Sequence, residues 1–527
     1  MDHAQITFAV IAGIVALFVW GRLPVEVVAI GAALLLWATG VLTLQQSLAG
    51  FGDPVIIFIA TLFVVSEALD STGVTAWAGQ QLVERSGASR TRLLVLTMLA
   101  CAVLTAFVTV NAAVAALLPV IVVTATRLKI APSKLLIPLC FGAHAGSQLA
   151  LTGSNVNLLI SEAAGTYGSR PIGFFEFALA GIPLLIGTVV VVALLGDRLL
   201  PVRTPLTISA DLSEHARTLV AQYRLAAAAG TGAVETEAGF DRETGLAEIV
   251  IPPRSPYIGE HVTLGMLSET GDFVVAAMQR GGEALDTLDL APGDIIVARG
   301  SWEGLDATAG RPGLLVVDHP EQVRRQAVPF GRGAWESLGV LLAMVALLVT
   351  GLVPPAVAGL LAAGALIVLR VVSMEQAYRS ITWTTVVLVA AMLPLSTAMF
   401  ESGAADQVAD GLISVVGGMG PYGLLIGLFV VTAVFGQLIS NTATALIVIP
   451  IGVAAAAETG NSILPVLMCV CIAASAALLT PVATPVNLIA MGAAGYKFGD
   501  YWKLGLVVMA VFFVVAIVVV PIFWPFT

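Results

Sequence analysis

The chain repeats itself at a constant offset of 330 positions, and the matched residues are those that punctuate helices. Gly21 and Pro24 recur as Gly351 and Pro354, Gln46 as Gln376, and Gly73 as Gly403. Asn111 recurs as Asn441, Asn157 as Asn487, and Ala163-Ala164-Gly165 as Ala493-Ala494-Gly495. Composition alone gives two apolar segments many shared Leu and Val. A shared register of Asn, Gln, Gly and Pro requires the two halves to be one fold used twice.

What lies between the matched residues is membrane sequence. Hydrophobic residues make up 58% of the 527 and charged residues 11%, against about 25% charged in a soluble domain. Each half holds five long apolar segments and one shorter pair. In the first half these are 5–21, 25–42, 54–70, 134–168 and 175–197, with the pair at 92–109 and 112–127. A crossing takes ~20 residues for ~30 Å of hydrocarbon. The pair, turning at Asn111, is predicted to be a re-entrant hairpin. The stretch Gly153-Ser154-Asn155-Val156-Asn157 makes the 134–168 segment polar in its middle, which predicts a helix broken inside the membrane. Unpaired backbone is tolerated there only where protein or a water-filled cavity satisfies it. The run Ile6–Trp20 lacks a basic leader and a small-residue cleavage site, so a retained helix is expected and not a signal peptide. Cys101, Cys140, Cys469 and Cys471 lie in apolar runs without metal or disulfide spacing and are expected to be buried thiols.

The expected fold is an all-α polytopic membrane protein. It has two inverted repeats of five transmembrane helices, each with a re-entrant hairpin and a broken helix, and a small α/β cytoplasmic domain between the repeats. Residues 1–200 form the first repeat, 201–330 the insert, and 331–527 the second repeat. Basic residues give the orientation. With the N-terminus outside and hairpins that do not cross, Arg22, Arg85, Arg90, Arg92, Arg127, Lys129, Lys134 and Arg198 fall inside. Arg332, Arg370, Arg379, Lys497 and Lys503 also fall inside, and Arg170 outside. The insert is then cytoplasmic, the expected location is the bacterial inner membrane, and an odd number of crossings inverts the second half. Inverted repeats with paired broken helices are a secondary-transporter arrangement with the site at the midplane.

A break at mid-membrane exposes N–H groups on one half-helix and carbonyls on the other. The N-terminal end favours an anion, and the carbonyl end can coordinate a hard cation. An Asn amide brings an oxygen ligand and two donors without charge, and Pro485 removes a donor and enforces the break. Polar glue between membrane helices is the plainer account of one Asn. It is a poor account of four, in two register-matched pairs.

Ser440-Asn441-Thr442, followed by Pro481-Val482-Ala483-Thr484-Pro485-Val486-Asn487, resembles the divalent anion:sodium symporter family. That family has an SNT motif at each hairpin tip and a proline-containing turn ending in Asn in each broken helix. The resemblance covers both membrane halves. It is looser in the first, where Val110-Asn111-Ala112 stands for SNT and Gly153-Ser154-Asn155-Val156-Asn157 for the turn. It implies one sodium site at Ser440, Asn441 and the turn near Ala483, and another at Asn111 and the turn near Gly153. Val110 and Ala112 lack hydroxyls, which puts the first site and the stoichiometry in question. It implies a substrate between the tips, near Asn111, Ser154, Asn155, Asn157, Thr442, Thr484, Pro485 and Asn487. It also implies an elevator-type movement against a dimeric scaffold. No Lys or Arg lies near either motif, which agrees with cation-coupled anion binding and also with a neutral substrate.

The insert from Leu246 has β-rich runs at Ala247–Ile251, Asp272–Met278 and Asp294–Ala298 between turn signals. It resembles a TrkA-C domain (about 245–325), the α/β ligand-binding module of potassium channel and transporter regulators. That implies regulation by a small ligand, with a purely structural or dimerising module as the alternative.

Other polar residues are read more plainly. His144 is expected to be a hydrogen-bonded packing residue, with proton coupling or substrate binding as the alternative. Glu67, Asp70 and Glu401 sit at helix ends and are expected at the solvated interface, although carboxylates deeper in a bilayer often carry a role. Leu44–Asp53 reads as an interfacial segment.

No nucleophile, base or metal cluster recurs in the membrane halves, so an enzyme is not expected and a cation-coupled secondary transporter is. Its substrate is sulfate or a C4-dicarboxylate, its coupling ion sodium, and its partners are lipid and a second copy of the chain, with no cofactor, transition metal or nucleic acid. The alternatives are a ligand-gated channel of the TrkA-C-controlled kind, an arsenite-type exporter, or a sodium/proton antiporter on a related fold.

Overall fold

Glycines in the left-handed conformation and prolines at first turns cut the apolar sequence into helices. In the computed structural model, Gly21, Gly351 and Gly495 have φ of 67°, 64° and 68° and stop the helices before them. The structure describes residues 2–75, 77, 78, 81, 90–128, 130–168, 170–203, 244–268, 273–280, 283–309, 313–316, 333–416, 419–481 and 483–527. Arg85, Lys129, Arg332, Asp272 and Val482 lie outside the described residues. The chain forms two compact units, Met1–Leu69 with Ala78–Ile208 and Trp335–Thr527, and Asp70–Trp77 with Ser209–Ala334.

In the first half of the larger unit the helices are α1 (His3–Trp20), α2 (Val25–Ala38), α3 (Leu44–Leu48), α4 (Pro54–Ser71), α5 (Arg90–Phe107), α6 (Val110–Arg127), α7 (Leu136–Gly146), α8 (Asn155–Tyr167) and α9 (Ala178–Leu199). The insert contributes α10 (Trp302–Ala309). The second half has α11 (Ala334–Thr350), α12 (Pro355–Val368), α13 (Met374–Ser380), α14 (Trp383–Glu401), α15 (Ala404–Val416), α16 (Gly420–Leu438), α17 (Asn441–Glu458), α18 (Ile463–Ala474), α19 (Pro485–Ala494), α20 (Trp502–Val514) and, after a π-helical turn, α21 (Val520–Phe523).

The offset of 330 survives into three dimensions. α2 and α12 are both 14 residues long and start at matched positions. Capping boxes recur in register. Gln46 N donates to Thr43 Oγ1 (3.3 Å) and Thr43 N to Gln46 Oε1 (2.9 Å), and Ser373 and Gln376 repeat this at 3.2 and 2.9 Å. At one matched pair the chemistry differs. Gly40 has φ 75°, and Arg370 in its place has φ 55°, a left-handed conformation that a side chain crowds. Arg370→Gly is expected to raise stability by about 1 kcal/mol, read as a higher unfolding temperature of the purified protein.

Both expected breaks are present. α7 stops at Gly146 and α8 starts at Asn155; α18 stops at Ala474 and α19 starts at Pro485. The hairpin turn comes earlier than expected. Val108 and Thr109 make it, and Asn111 sits in the first turn of α6, where Thr109 Oγ1 accepts from Ala112 N (3.4 Å). The reason is local: an Asn belongs where a helix start exposes N–H groups. Among the described residues, eight helices are long and apolar enough to cross a membrane by length and composition, and they include the hairpin arms α5, α16 and α17. The protein is therefore mostly helical and multi-pass.

The first arm of each hairpin packs on the broken helix of its own repeat, α5 on α7 and α16 on α18. The second arm packs on the broken helices of both repeats, α6 on α7 and α19, and α17 on α18 and α8. Glycines allow the closest approach. A Cβ at Gly146 would lie 2.2 Å from Ala102 Cα.

The smaller unit holds a five-stranded antiparallel sheet, β4-β3-β6-β1-β7, and a two-stranded one, β2-β5. The strands are β1 (Thr244–Val250), β2 (His261–Thr263), β3 (Phe273–Arg280), β4 (Glu283–Ala284), β5 (Thr287–Asp289), β6 (Ile295–Ser301) and β7 (Leu315–Val316). The three expected runs correspond to β1, β3 and β6. The others are two or three residues long, too short to show an alternation. Ile249, Val275, Met278, Ile296 and Leu305 pack its core. Arg280 closes one edge, donating to the buried Asp294 carboxylate through Nε (2.7 Å) and Nη2 (2.6 Å). That guanidinium holds the Asp294 carboxyl below the ordinary aspartate range.

Candidate ion and substrate site

Four helix N-termini follow the two hairpin turns and the two breaks: α6, α8, α17 and α19. Each leaves backbone N–H groups without intrahelical acceptors and carries partial positive charge. Three are capped by a hydroxyl. Thr109 caps α6, Ser154 Oγ accepts from Val156 N (3.2 Å) at α8, and Ser440 Oγ from Ala443 N (3.3 Å) at α17. At α19 the extended Thr484 precedes Pro485, and its buried hydroxyl has no partner.

The unwound turns are held by the paired asparagines. Asn157 Nδ2 donates to the carbonyls of Ser147 and Ala150, both at 2.8 Å. Asn487 Nδ2 donates to those of Ala477 (2.9 Å) and Thr480 (3.1 Å), the matched positions. Both side chains are fully buried. Their amide nitrogens therefore brace the backbone that the break would leave unpaired. Glycines let other helices close over these turns. A Cβ at Gly181 would lie 2.1 Å from Gln148 O, and one at Gly505 2.2 Å from Leu478 O. Gly153 is held as tightly, its would-be Cβ 2.3 Å from Ser147 O.

Each tip is tied to the break of its own repeat. In the first, Thr152 Oγ1 donates to Ala106 O at the end of α5 (2.8 Å). In the second, Gln437 Nε2 donates to Ala476 O (2.9 Å) and Leu479 N donates to Gln437 Oε1 (2.9 Å). The end of the first hairpin arm is thus tied to the unwound turn in each half, and tip and turn together make one junction per repeat. Ser440, Asn111 and Pro485 are exposed, while Ser154, Asn155, Asn441 and Thr442 are half-buried. Gln437, Gln148 and Thr152 were not singled out from sequence. For Gln437 the signal was there, a lone amide three residues before the motif.

The two junctions differ in one respect. In the second, Asn441 Oδ1, Thr444 Oγ1, Thr484 Oγ1 and Asn487 Oδ1 are buried oxygens without a hydrogen-bond partner. In the first, Val114 replaces Thr444 and Asn157 Oδ1 accepts from Gln148 Nε2 (3.1 Å) and Cys471 Sγ (3.3 Å). Buried oxygens are costly to leave unmatched, and the second junction carries four of them.

Elsewhere in the larger unit, a cavity of about 200 Å³ lies among α3, α4, α8, α14 and α17, with Asp53, Glu162 and Thr166 on its wall. Glu401, expected at a solvated helix end, accepts from Gln46 Nε2 (2.6 Å).

This architecture has relatives. The chain is 29% identical to the "Uncharacterized transporter YfbS" of Escherichia coli (strain K12), over 98% of each chain. It is 24% identical to the "Sodium/sulfate cotransporter 1" of Chlamydomonas reinhardtii, over 62% of this chain and 34% of that one. The solved Alcanivorax borkumensis YdaH transporter aligns over 97% of this chain and 98% of its own, at 13% identity and a TM-score of 0.48. The family described as CitMHS, citrate transporter, matches residues 15–444 and again 398–527, and the chain, a multi-pass membrane protein built as two matched halves, belongs to it.

Proposed function

We propose that the protein is a sodium-coupled secondary transporter of a small divalent anion, sulfate or a C4-dicarboxylate. The observation that carries this reading is a site made of helix N-termini and uncharged oxygens with no basic side chain beside it. Residues 93–126, 135–169 and 380–496 contain no Lys or Arg. An anion held there would be balanced by N–H dipoles and by cations bound at the carbonyl ends. Ser440, Asn441 and the Ala483 turn would hold one sodium ion, with the unpartnered Asn441 Oδ1 and Thr444 Oγ1 among its ligands. Asn111 and the Gly153 turn would form the weaker site. Ser154, Asn155, Thr442, Thr484 and Pro485 would face the anion, with Asn157 and Asn487 holding the turns in shape.

The name of the Chlamydomonas relative supports both the ion and the anion class. The Ser-Asn-Thr resemblance supports placement among divalent anion:sodium symporters, with elevator-type movement and a homodimer. In this reading the protein lies in the bacterial inner membrane with its N-terminus outside. Residues 201–330 are then cytoplasmic, and the TrkA-C-like insert responds to a small regulatory ligand.

The test is thermal unfolding of the purified protein in sodium, lithium or potassium, each with and without sulfate, succinate, malate and citrate. Linked binding predicts that an anion stabilises only with sodium present, by about 2.7 kcal/mol at a hundredfold excess over Kd. Absence of stabilisation by every anion with every cation would overturn the reading.

A further inference from the structure

His144 lies on α7 of the first repeat, 2% exposed, and its Nε2 has no hydrogen-bond partner. Its side chain faces Asn487 on α19 of the second repeat. The contact between these helices runs along one stripe of α7. Tyr496 Oη accepts from Ile137 N (3.3 Å), Cys140 Sγ lies 3.8 Å from Val486 O, and His144 follows one turn on. Asn487 Oδ1 is the other atom here without a partner.

The repeat explains why these two atoms belong together. In the first half, Asn157 Oδ1 accepts from Gln148 and from Cys471. In the second half Leu478 stands where Gln148 does, and Phe141 stands where Cys471 does. Neither can donate. Ala474 is the counterpart of His144, so nothing like the imidazole meets Asn157. One donor from the other repeat replaces two.

We propose that His144 is a positioning residue for the second junction, its neutral imidazole donating Nε2–H to Asn487 Oδ1. That bond sets the Asn487 amide, whose nitrogen holds the Ala477 and Thr480 carbonyls, and so fixes the unwound turn from the opposite repeat. The consequence for transport rests on the reading that this turn binds the coupling cation.

The test compares His144→Gln, which keeps an N–H donor, with His144→Leu, which removes it, in the full-length protein. Without any coupling ion, amide hydrogen exchange across 478–484 should speed up about tenfold in the Leu variant and stay near wild type in the Gln variant. In proteoliposomes the sodium concentration for half-maximal uptake should rise about tenfold in His144→Leu with little change in maximal rate. Exchange in His144→Leu as slow as wild type, or as fast in Gln as in Leu, overturns the proposal. If wild-type uptake ignores sodium, the transport reading fails, while the exchange comparison still decides the role of His144. Should the Leu variant not fold, labelled-histidine NMR of the wild type decides: an Nδ1–H tautomer at His144, assigned by the signal lost in His144→Gln, overturns it.

Discussion

Asn441→Ala is expected to abolish sodium-dependent uptake while leaving the unfolding temperature of the ion-free protein within a few degrees of wild type. The two halves of that expectation have separate causes. The fold survives because Asn441 Oδ1 makes no hydrogen bond within the chain, and alanine is the better helix former by roughly half a kcal/mol. The Ser440 cap onto Ala443 N and the Gln437 ties to the break do not use the Asn441 side chain. Uptake is lost because, in the proposed site, the Asn441 oxygen is a cation ligand that alanine cannot replace. Losing even an outer partner of a metal ion costs about 10–100-fold in affinity, and losing a ligand should cost no less. Asn111→Ala should do less harm. Asn111 is exposed and flanked by Val110 and Ala112, which bring no hydroxyl. Uptake measured against sodium concentration in proteoliposomes checks both. An Asn441→Ala protein with the wild-type sodium dependence would refute the second-junction cation site.

Much of this was legible in the sequence for a physical reason. Backbone can be unwound inside a membrane only where something pairs with it, so the residues that do the pairing cannot drift. That is why Asn157 and Asn487 keep their register and why the breaks at 147–154 and 475–484 fall where Gly153-Ser154-Asn155 and Thr484-Pro485 predicted them. The hairpin tips were legible to within two residues, because Asn111 marks a helix start and not the turn itself. Roles that depend on the partner were not legible. Gln148 looks like a stray amide until the fold brings Ser475 Oγ to 2.7 Å of its Nε2, across 327 positions. His144 reads as packing until Leu478 and Phe141 are seen to leave Asn487 without donors. A repeat therefore announces what its two halves share, and the structure is needed where they have diverged and one half lends a group to the other.

Asn157→Ala is expected to have the opposite signature to Asn441→Ala: a large loss of stability, with uptake lost only because the protein is lost. Asn157 is fully buried and makes four hydrogen bonds. Ala150 O would keep a second donor, Gly153 N at 3.1 Å, and Gln148 Nε2 would keep Ser475. Ser147 O would lose the Asn157 donor, and Gly153 sits too close for the turn to swing that carbonyl elsewhere. An orphaned buried carbonyl, two lost partners and the space of a carboxamide together amount to about 3–5 kcal/mol, a large share of the 5–15 kcal/mol that holds a typical domain together. Asn157→Asp should be no better, since it keeps the shape but sets a carboxylate where both carbonyls need a donor. Thermal unfolding in detergent separates the roles. If Asn157 served as a substrate ligand and not as a brace, the alanine variant would unfold at the wild-type temperature and fail only in anion-dependent stabilisation. A brace predicts the reverse order of events, with the ligand-free protein already weakened.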